Sequence, residues 1–265
     1  VAYTLNPVNL LAGFSDADGD SLSVADLSAN HGALVENSAG TWTFTPTANY
    51  NGQVDLTYKV VDGNGGSIAA TQTFNLAAVN DAPTGSVTMG NATSNLRGIS
   101  SAQQGDVLVV SHDLTDADGL GTISYSWQRA GVVVGNGNSY SLTQADVGAF
   151  ITVSASYTDG GNTQESVSSA SSNAIINVND APTGSVVISG TAKQGQVLTA
   201  TNTLNDLDGM GTVSYQWLAN GTAISSATSS SYTLSAAEVG KTISVIAGYV
   251  DLFGTTEQVS SPEIG

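Results

Sequence analysis

The chain has 265 residues, 22 Asp and Glu against five Lys and Arg for a net charge of −17, and no cysteine. That imbalance argues against nucleic acid or an anionic membrane as partner, and without thiols there are neither disulfides nor cysteine-held metals. No apolar run approaches the length of a membrane span, so direct membrane insertion is not expected.

Helical periodicity is almost nowhere. Short runs alternate apolar residues with Ser and Thr, punctuated by Gly, Asn and Asp, as in all-β sandwiches. Residues 1–79 give strands near 8–14, 22–27, 33–36, 41–45, 54–61 and 68–77. Between the first two lies Asp16-Ala17-Asp18-Gly19-Asp20, and after the long strand comes Asp62-Gly63-Asn64-Gly65-Gly66, a turn that needs its glycines. Val79-Asn80-Asp81-Ala82-Pro83-Thr84-Gly85-Ser86-Val87 follows and returns letter for letter at 178–186, which marks a repeat boundary. Pro83 and Pro182 fix φ and hold the preceding alanine extended, as suits a linker.

Beyond the first joint the chain repeats itself. Asp116-Ala117-Asp118-Gly119-Leu120-Gly121 matches Asp206-Leu207-Asp208-Gly209-Met210-Gly211, and Tyr125-Ser126-Trp127 matches Tyr215-Gln216-Trp217. Ala145-Asp146-Val147-Gly148 matches Ala237-Glu238-Val239-Gly240, and Tyr157-Thr158-Asp159 matches Tyr249-Val250-Asp251. The second stretch carries nine extra residues within about 90–102, including Asn95, Leu96 and Arg97. We therefore expect an all-β chain of three tandem β-sandwich domains, 1–79, 80–178 and 179–265, in an extended array. Their net charges are −6, −6 and −5 (seven acids against one base, eight against two, seven against two), so the acidity is no tail.

Taken in immunoglobulin order, the second stretch has strand A at 86–89, B at 106–112, C at 123–128, E at 140–142, F at 150–157, and G ending near 178. The B–C and F–G loops of such a sandwich share one end with the entry of strand A. Asp116, Asp118 and Asp159 should thus meet Asn80 and Asp81 at the first joint. Asp206, Asp208 and Asp251 should meet Asn179 and Asp180 at the second. Asp16, Asp18, Asp20 and Asp62 form the corresponding tip of the first stretch. Carboxylates crowded in this way repel one another unless a cation neutralises them. Flexible glycine loops offering carboxylates and carbonyls suit Ca²⁺, which accepts six to eight oxygens in adaptable geometry. Aspartate outnumbers glutamate 17 to five and sits largely beside glycine, in keeping with hard-cation loops. An EF-hand does not fit, because Leu27 stands where its bidentate glutamate belongs.

These motifs resemble the tandem cadherin-like and immunoglobulin-like repeats of large bacterial adhesins exported by type I secretion, the RTX adhesins. The first stretch resembles their cadherin-like domain through Asp16–Asp20, Thr45-Pro46 with Asn49-Tyr50-Asn51-Gly52, and Tyr58-Lys59-Val60-Val61-Asp62-Gly63. The other two resemble the immunoglobulin-like repeats reading N-D-A-P-T-G, D-x-D-G-x-G and Y-x-W. The resemblance implies a secreted, extracellular stalk at a bacterial surface, with joints stiffened by Ca²⁺ and a distal ligand-binding region held away from the cell. Its partners would be neighbouring repeats of the same polypeptide, and the segment itself would be monomeric. True cadherins add glutamates from the base of the preceding domain, and these are not evident here. A Ca²⁺-dependent carbohydrate- or peptide-binding module is the alternative.

Other residues invite plainer readings. Trp127 and Trp217 are core anchors, and Trp42 with Tyr58, Tyr125, Tyr157, Tyr215 and Tyr249 pack within strands. His31 and His112 have no repeated partner. No nucleophile elbow precedes a helix, and catalytic pairs do not come in triplicate, so no enzyme is expected.

Overall fold

The computed structural model describes residues 1–37, 40–93 and 99–265. Asn95, Leu96 and Arg97 of the insertion therefore lie outside the described residues. Among the described residues the strands form six β-sheets, and the chain divides into two compact units.

The first unit comprises residues 1–86, 112–124 and 155–167. Its amino-terminal part holds β1 (Tyr3–Leu5), one helical turn α1 (Pro7–Leu10), β2 (Ser23–Ala29), β3 (Gly32–Glu36), β4 (Trp42–Pro46), β5 (Gly52–Val61) and β6 (Ser67–Leu76). Two sheets form, in the orders β1-β4-β3 and β2-β5-β6. Along β5 the side chains of Val54, Leu56, Tyr58 and Val60 are buried while their neighbours face out, the two-residue period of a strand with one face on a core. They pack with Phe44 from the other sheet and with Leu10 and Leu76, which makes a sandwich. The strand expected over 8–14 is not there. Asn6 Oδ1 accepts the Val8 N–H at 3.0 Å and Pro7 fills the first helical position, so the chain turns into α1 and the strand lies upstream.

The strands of the middle stretch are β7 (Val87–Asn91), β8 (Val107–His112), β9 (Ser124–Arg129), β10 (Val132–Asn136), β11 (Ser139–Ser141), β12 (Ile151–Thr158) and β13 (Gln164–Ser168). They make sheets in the orders β11-β8-β7 and β10-β9-β12-β13. The divide between the units passes through this stretch, so its aspartate-bearing ends, 112–124 and 155–167, count with the first unit.

The second unit comprises residues 87–111, 125–154 and 168–265. Its last part holds β14 (Val186–Ser189), β15 (Val197–Asn202), β16 (Ser214–Ala219), β17 (Thr222–Ala223), β18 (Ser231–Thr233), β19 (Ile243–Val250) and β20 (Thr256–Ser260). These form sheets β14-β15-β18 and β17-β16-β19-β20. Val186 and Leu198 from one sheet enclose Trp217, Val245 and Ala247 from the other. Trp127 and Trp217 are both fully buried, and each indole N–H donates to a carbonyl at 2.9 Å, Gly137 and Ser229 respectively.

The last strand of the middle stretch is shorter than expected. β13 stops at Ser168, because the Ser169 and Ser172 hydroxyls accept the Val153 and Ile151 N–H groups in place of a ladder. Residues 175 and 176 then bridge in parallel to Val147 and Gln103.

Candidate metal centres

At the first joint the linker is tied to the loop after β8 by a reciprocal pair of backbone bonds between Thr84 and Thr115, 2.8 and 2.9 Å. Asp116 Oδ1 accepts the Asp118 N–H at 2.9 Å and so folds the loop upon itself. Asp118 Oδ2 accepts the Asp81 N–H at 2.7 Å, which fastens the linker. The second glycine of the motif has a steric cause. A Cβ on Gly121 would stand 2.0 Å from the Thr158 carbonyl oxygen at the end of β12, so only glycine lets loop and strand meet.

Asp159 follows β12. Its Oδ1 accepts the Thr163 N–H at 2.6 Å and closes its own turn, while its Oδ2 is buried and accepts nothing. Asp116, Asp118 and Asp159 each offer a carboxylate oxygen within 4.8 Å of the others. Among the described residues no other group of three such side chains is this tight. Tyr157 donates to Asp116 Oδ2 at 2.6 Å. Burial first, and then this bond, push the phenol well above its ordinary value, so it remains a donor. Asn80 does not point its amide nitrogen at the triad; it donates to Glu165 Oε1 at 2.7 Å.

The second joint repeats this chemistry. Asp208 N–H donates to Asp206 Oδ1 at 2.9 Å, Asp180 N–H to Asp208 Oδ2 at 2.6 Å, and the Tyr249 hydroxyl to Asp206 Oδ2. Asn179 donates to Glu257 at 2.8 Å. Asp251 Oδ1 accepts the Phe253 and Thr255 N–H groups, and its buried Oδ2 again accepts nothing. Burial pushes the Asp251 carboxyl up, but those N–H donors outweigh it and hold the group below its usual range. One difference separates the joints. Gln104 Nε2 donates to Asp180 Oδ2 at 2.6 Å and Gln144 Nε2 to Asp208 Oδ1 at 3.0 Å. Among the described residues no side-chain amide donates to Asp118.

The tip of the first stretch is looser. Asp16 Oδ1 accepts the N–H groups of Asp18 and Asp20, and Asp62 Oδ1 those of Asn64 and Gly66. The Asp20 and Asn64 side chains join the two turns at 2.8 Å. Asp18 and Asp20 are exposed, whereas Asp206, Asp208 and Asp251 are buried.

Five buried side-chain oxygens and no others are without a hydrogen bond among the described residues: Gln104 Oε1, Gln144 Oε1, Asp159 Oδ2, Asn177 Oδ1 and Asp251 Oδ2. Asp159 belongs to the first joint, Asp251 and both glutamines to the second, and Asn177 stands three residues before Asp180. Buried acceptors are nearly always satisfied. Orphaned oxygens beside carboxylates are what an oxygen-loving cation needs, so these residues fit Ca²⁺.

A family profile described as a cadherin-like domain matches residues 1–77. No curated protein matches the chain. Among solved structures, a tetra-tandem repeat in the extending region of a large adhesion protein is similar at 17% identity and TM-score 0.32, over 92% of this chain and 66% of that one. A Ca²⁺-stabilised adhesin that helps an Antarctic bacterium reach out and bind ice is similar at 14% identity and TM-score 0.32, over 90% of this chain and 63% of that one. Mouse cadherin-23 EC22-24 is similar at 16% identity and TM-score 0.33, over 91% and 84%. The chain thus spans slightly less than two thirds of the first two, and superpositions this poor have no bearing on the site.

Proposed function

We propose that this chain, which carries a cadherin-like domain at residues 1–77, is a Ca²⁺-stiffened extender segment of a bacterial cell-surface adhesin. In this reading it consists of three tandem sandwiches, 1–79, 80–178 and 179–265, and works outside the cell. The observation that supports it best is that, among the described residues, four of the five orphaned buried side-chain oxygens belong to side chains of the two aspartate-lined joints. Cadherin-like domains are non-enzymatic structural modules, and no helix among the described residues is long and apolar enough to cross a membrane.

At the first joint Asp116, Asp118 and Asp159 would hold the ion, with Asp81 beside them. At the second, Asp206, Asp208 and Asp251 would do so, with Asp180. Bound there, Ca²⁺ supplies positive charge to carboxylates that otherwise repel. The protein's own part is orientation. Each aspartate uses one oxygen on its own loop or on the linker, which fixes where the other oxygen stands. Because these loops also bond the Asn-Asp linker, neutralising them restrains the linker. A ligand that binds only the folded arrangement adds about 2.7 kcal/mol at a hundredfold excess over Kd, a large share of a small domain's stability. Asp16, Asp18, Asp20 and Asp62 would form a weaker, more solvated site.

Small-angle scattering with Ca²⁺ and with excess chelator tests the stiffening. A profile that becomes that of a more flexible chain on chelation supports it. Identical profiles contradict it, and binding of the isolated protein to a glycan array would favour a ligand-binding module instead.

A further inference from the structure

Among the described residues no side-chain amide donates to Asp81 or Asp118 at the first joint, as Gln104 and Gln144 do to Asp180 and Asp208 at the second. Gln104 is held in place by its own backbone, whose N–H donates to the Ile176 carbonyl at 3.0 Å. Gln144 opens a 3-10 turn whose Asp146 side chain accepts from Thr143, with Val147 bridged to Ile175. Both side chains are therefore presented by anchored backbone at the place where Asp180 and Asp208 arrive. Each directs its NH₂ to a carboxylate and leaves a buried oxygen without a partner. Asn177 leaves a third. The deeply buried Asp251 adds an orphaned carboxylate oxygen.

A primary amide is two-faced, with donors on nitrogen and an acceptor on oxygen. Facing bare carboxylates, the nitrogen end is attractive and the oxygen end repulsive. Facing a cation held among those carboxylates, the preference reverses. Rotation about the terminal torsion exchanges the two ends without moving the backbone, and that torsion is soft and roughly two-fold.

We propose that Gln104 and Gln144 are a cation-responsive latch: their NH₂ groups hold Asp180 and Asp208 when Ca²⁺ is scarce, and their oxygens, with that of Asn177, join its ligand set when it is abundant. This rests on the Ca²⁺ reading of the second joint. The glutamines act in place of part of the ion's charge, so the second joint keeps its order in chelator while the first, which lacks them, loosens. They also contribute ligand oxygens without adding negative charge, which lowers affinity relative to a site built with glutamates.

The test uses the full chain with the first site disabled by Asp116→Asn and Asp159→Asn. Side-chain amide resonances of Gln104 and Gln144 are followed by NMR in chelator and through a Ca²⁺ titration, beside calorimetry. A double variant, Gln104→Glu with Gln144→Glu, is measured in parallel. The latch predicts that both amide resonances move with Ca²⁺ occupancy. It also predicts that the glutamate variant binds Ca²⁺ about tenfold or more tightly yet unfolds at lower temperature in chelator. If calorimetry shows Ca²⁺ at the second site while the resonances stay fixed, the latch is wrong and the ion reading survives. Absence of Ca²⁺ uptake in calorimetry overturns both. The NMR arm needs no change at either glutamine, so a poorly folding variant does not remove the test.

Discussion

Replacing Asp159 by asparagine should stabilise the protein in chelator and destabilise it in Ca²⁺. The side chain keeps its shape, and Oδ1 can still accept from Thr163, so the turn survives. What changes is the charge and the orphaned Oδ2. Three carboxylate oxygens within 4.8 Å of one another make three repelling pairs, two of which involve Asp159. At that separation each pair repels by about 0.9 kcal/mol in water and by about 3.5 kcal/mol at an effective dielectric constant of 20. Removing two pairs therefore relieves roughly 2 kcal/mol at least without the ion. With Ca²⁺ present the variant loses a ligand and most of the linkage term, about 2.7 kcal/mol at a hundredfold excess over Kd. Thermal unfolding followed by tryptophan fluorescence, in chelator and in Ca²⁺, reads both signs. A variant destabilised equally in both conditions would refute the reasoning, since Asp159 would then be a turn residue only.

Tyr157→Phe removes the donor to Asp116 Oδ2 and should cost about 1.5–3 kcal/mol, the usual range for a bond to a charged group, together with some Ca²⁺ affinity in calorimetry. Gly211→Ala would place a Cβ 2.3 Å from the Val250 carbonyl oxygen, so it should cost about 1–3 kcal/mol by overpacking and weaken the second site while leaving the first intact in a paired titration. In chelator, the stability contributed by Asp251 should be complete above its unfolded pKa of 3.8 and disappear as pH falls through its depressed folded value. An acid titration of unfolding should show that loss, and Asp251→Asn should flatten it.

The aspartates stand out because they recur: a D-x-D-G loop is followed 43 residues on by Asp159 and 45 residues on by Asp251, each at the end of a strand. Alternation identified β5, and the tyrosine and tryptophan pattern located β9 and β16. Less was visible where a residue has two roles. Tyr157 and Tyr249 occupy inward strand positions, so they read as packing, yet each also orients an aspartate through its hydroxyl. Glu165 and Glu257 recur at the offset that relates Asp159 to Asp251, and carrying that alignment further would have found them on Asn80 and Asn179. Gln104 and Gln144 gave no signal. They are neutral and lie 76 and 64 residues from the carboxylates they meet. The α1 turn was hidden because the apolar residues of 8–14 suit a strand, whereas Asn6 caps a helical turn and Pro7 fills its first position.

The most direct measurement is calorimetric titration of Ca²⁺ into the full chain and into two variants, Asp116→Asn with Asp159→Asn and Asp206→Asn with Asp251→Asn. Saturable Ca²⁺ binding that falls by one set of sites in each variant is the predicted result. Binding unchanged in both variants, or none in the parent chain, would contradict the assignment of these aspartates to metal.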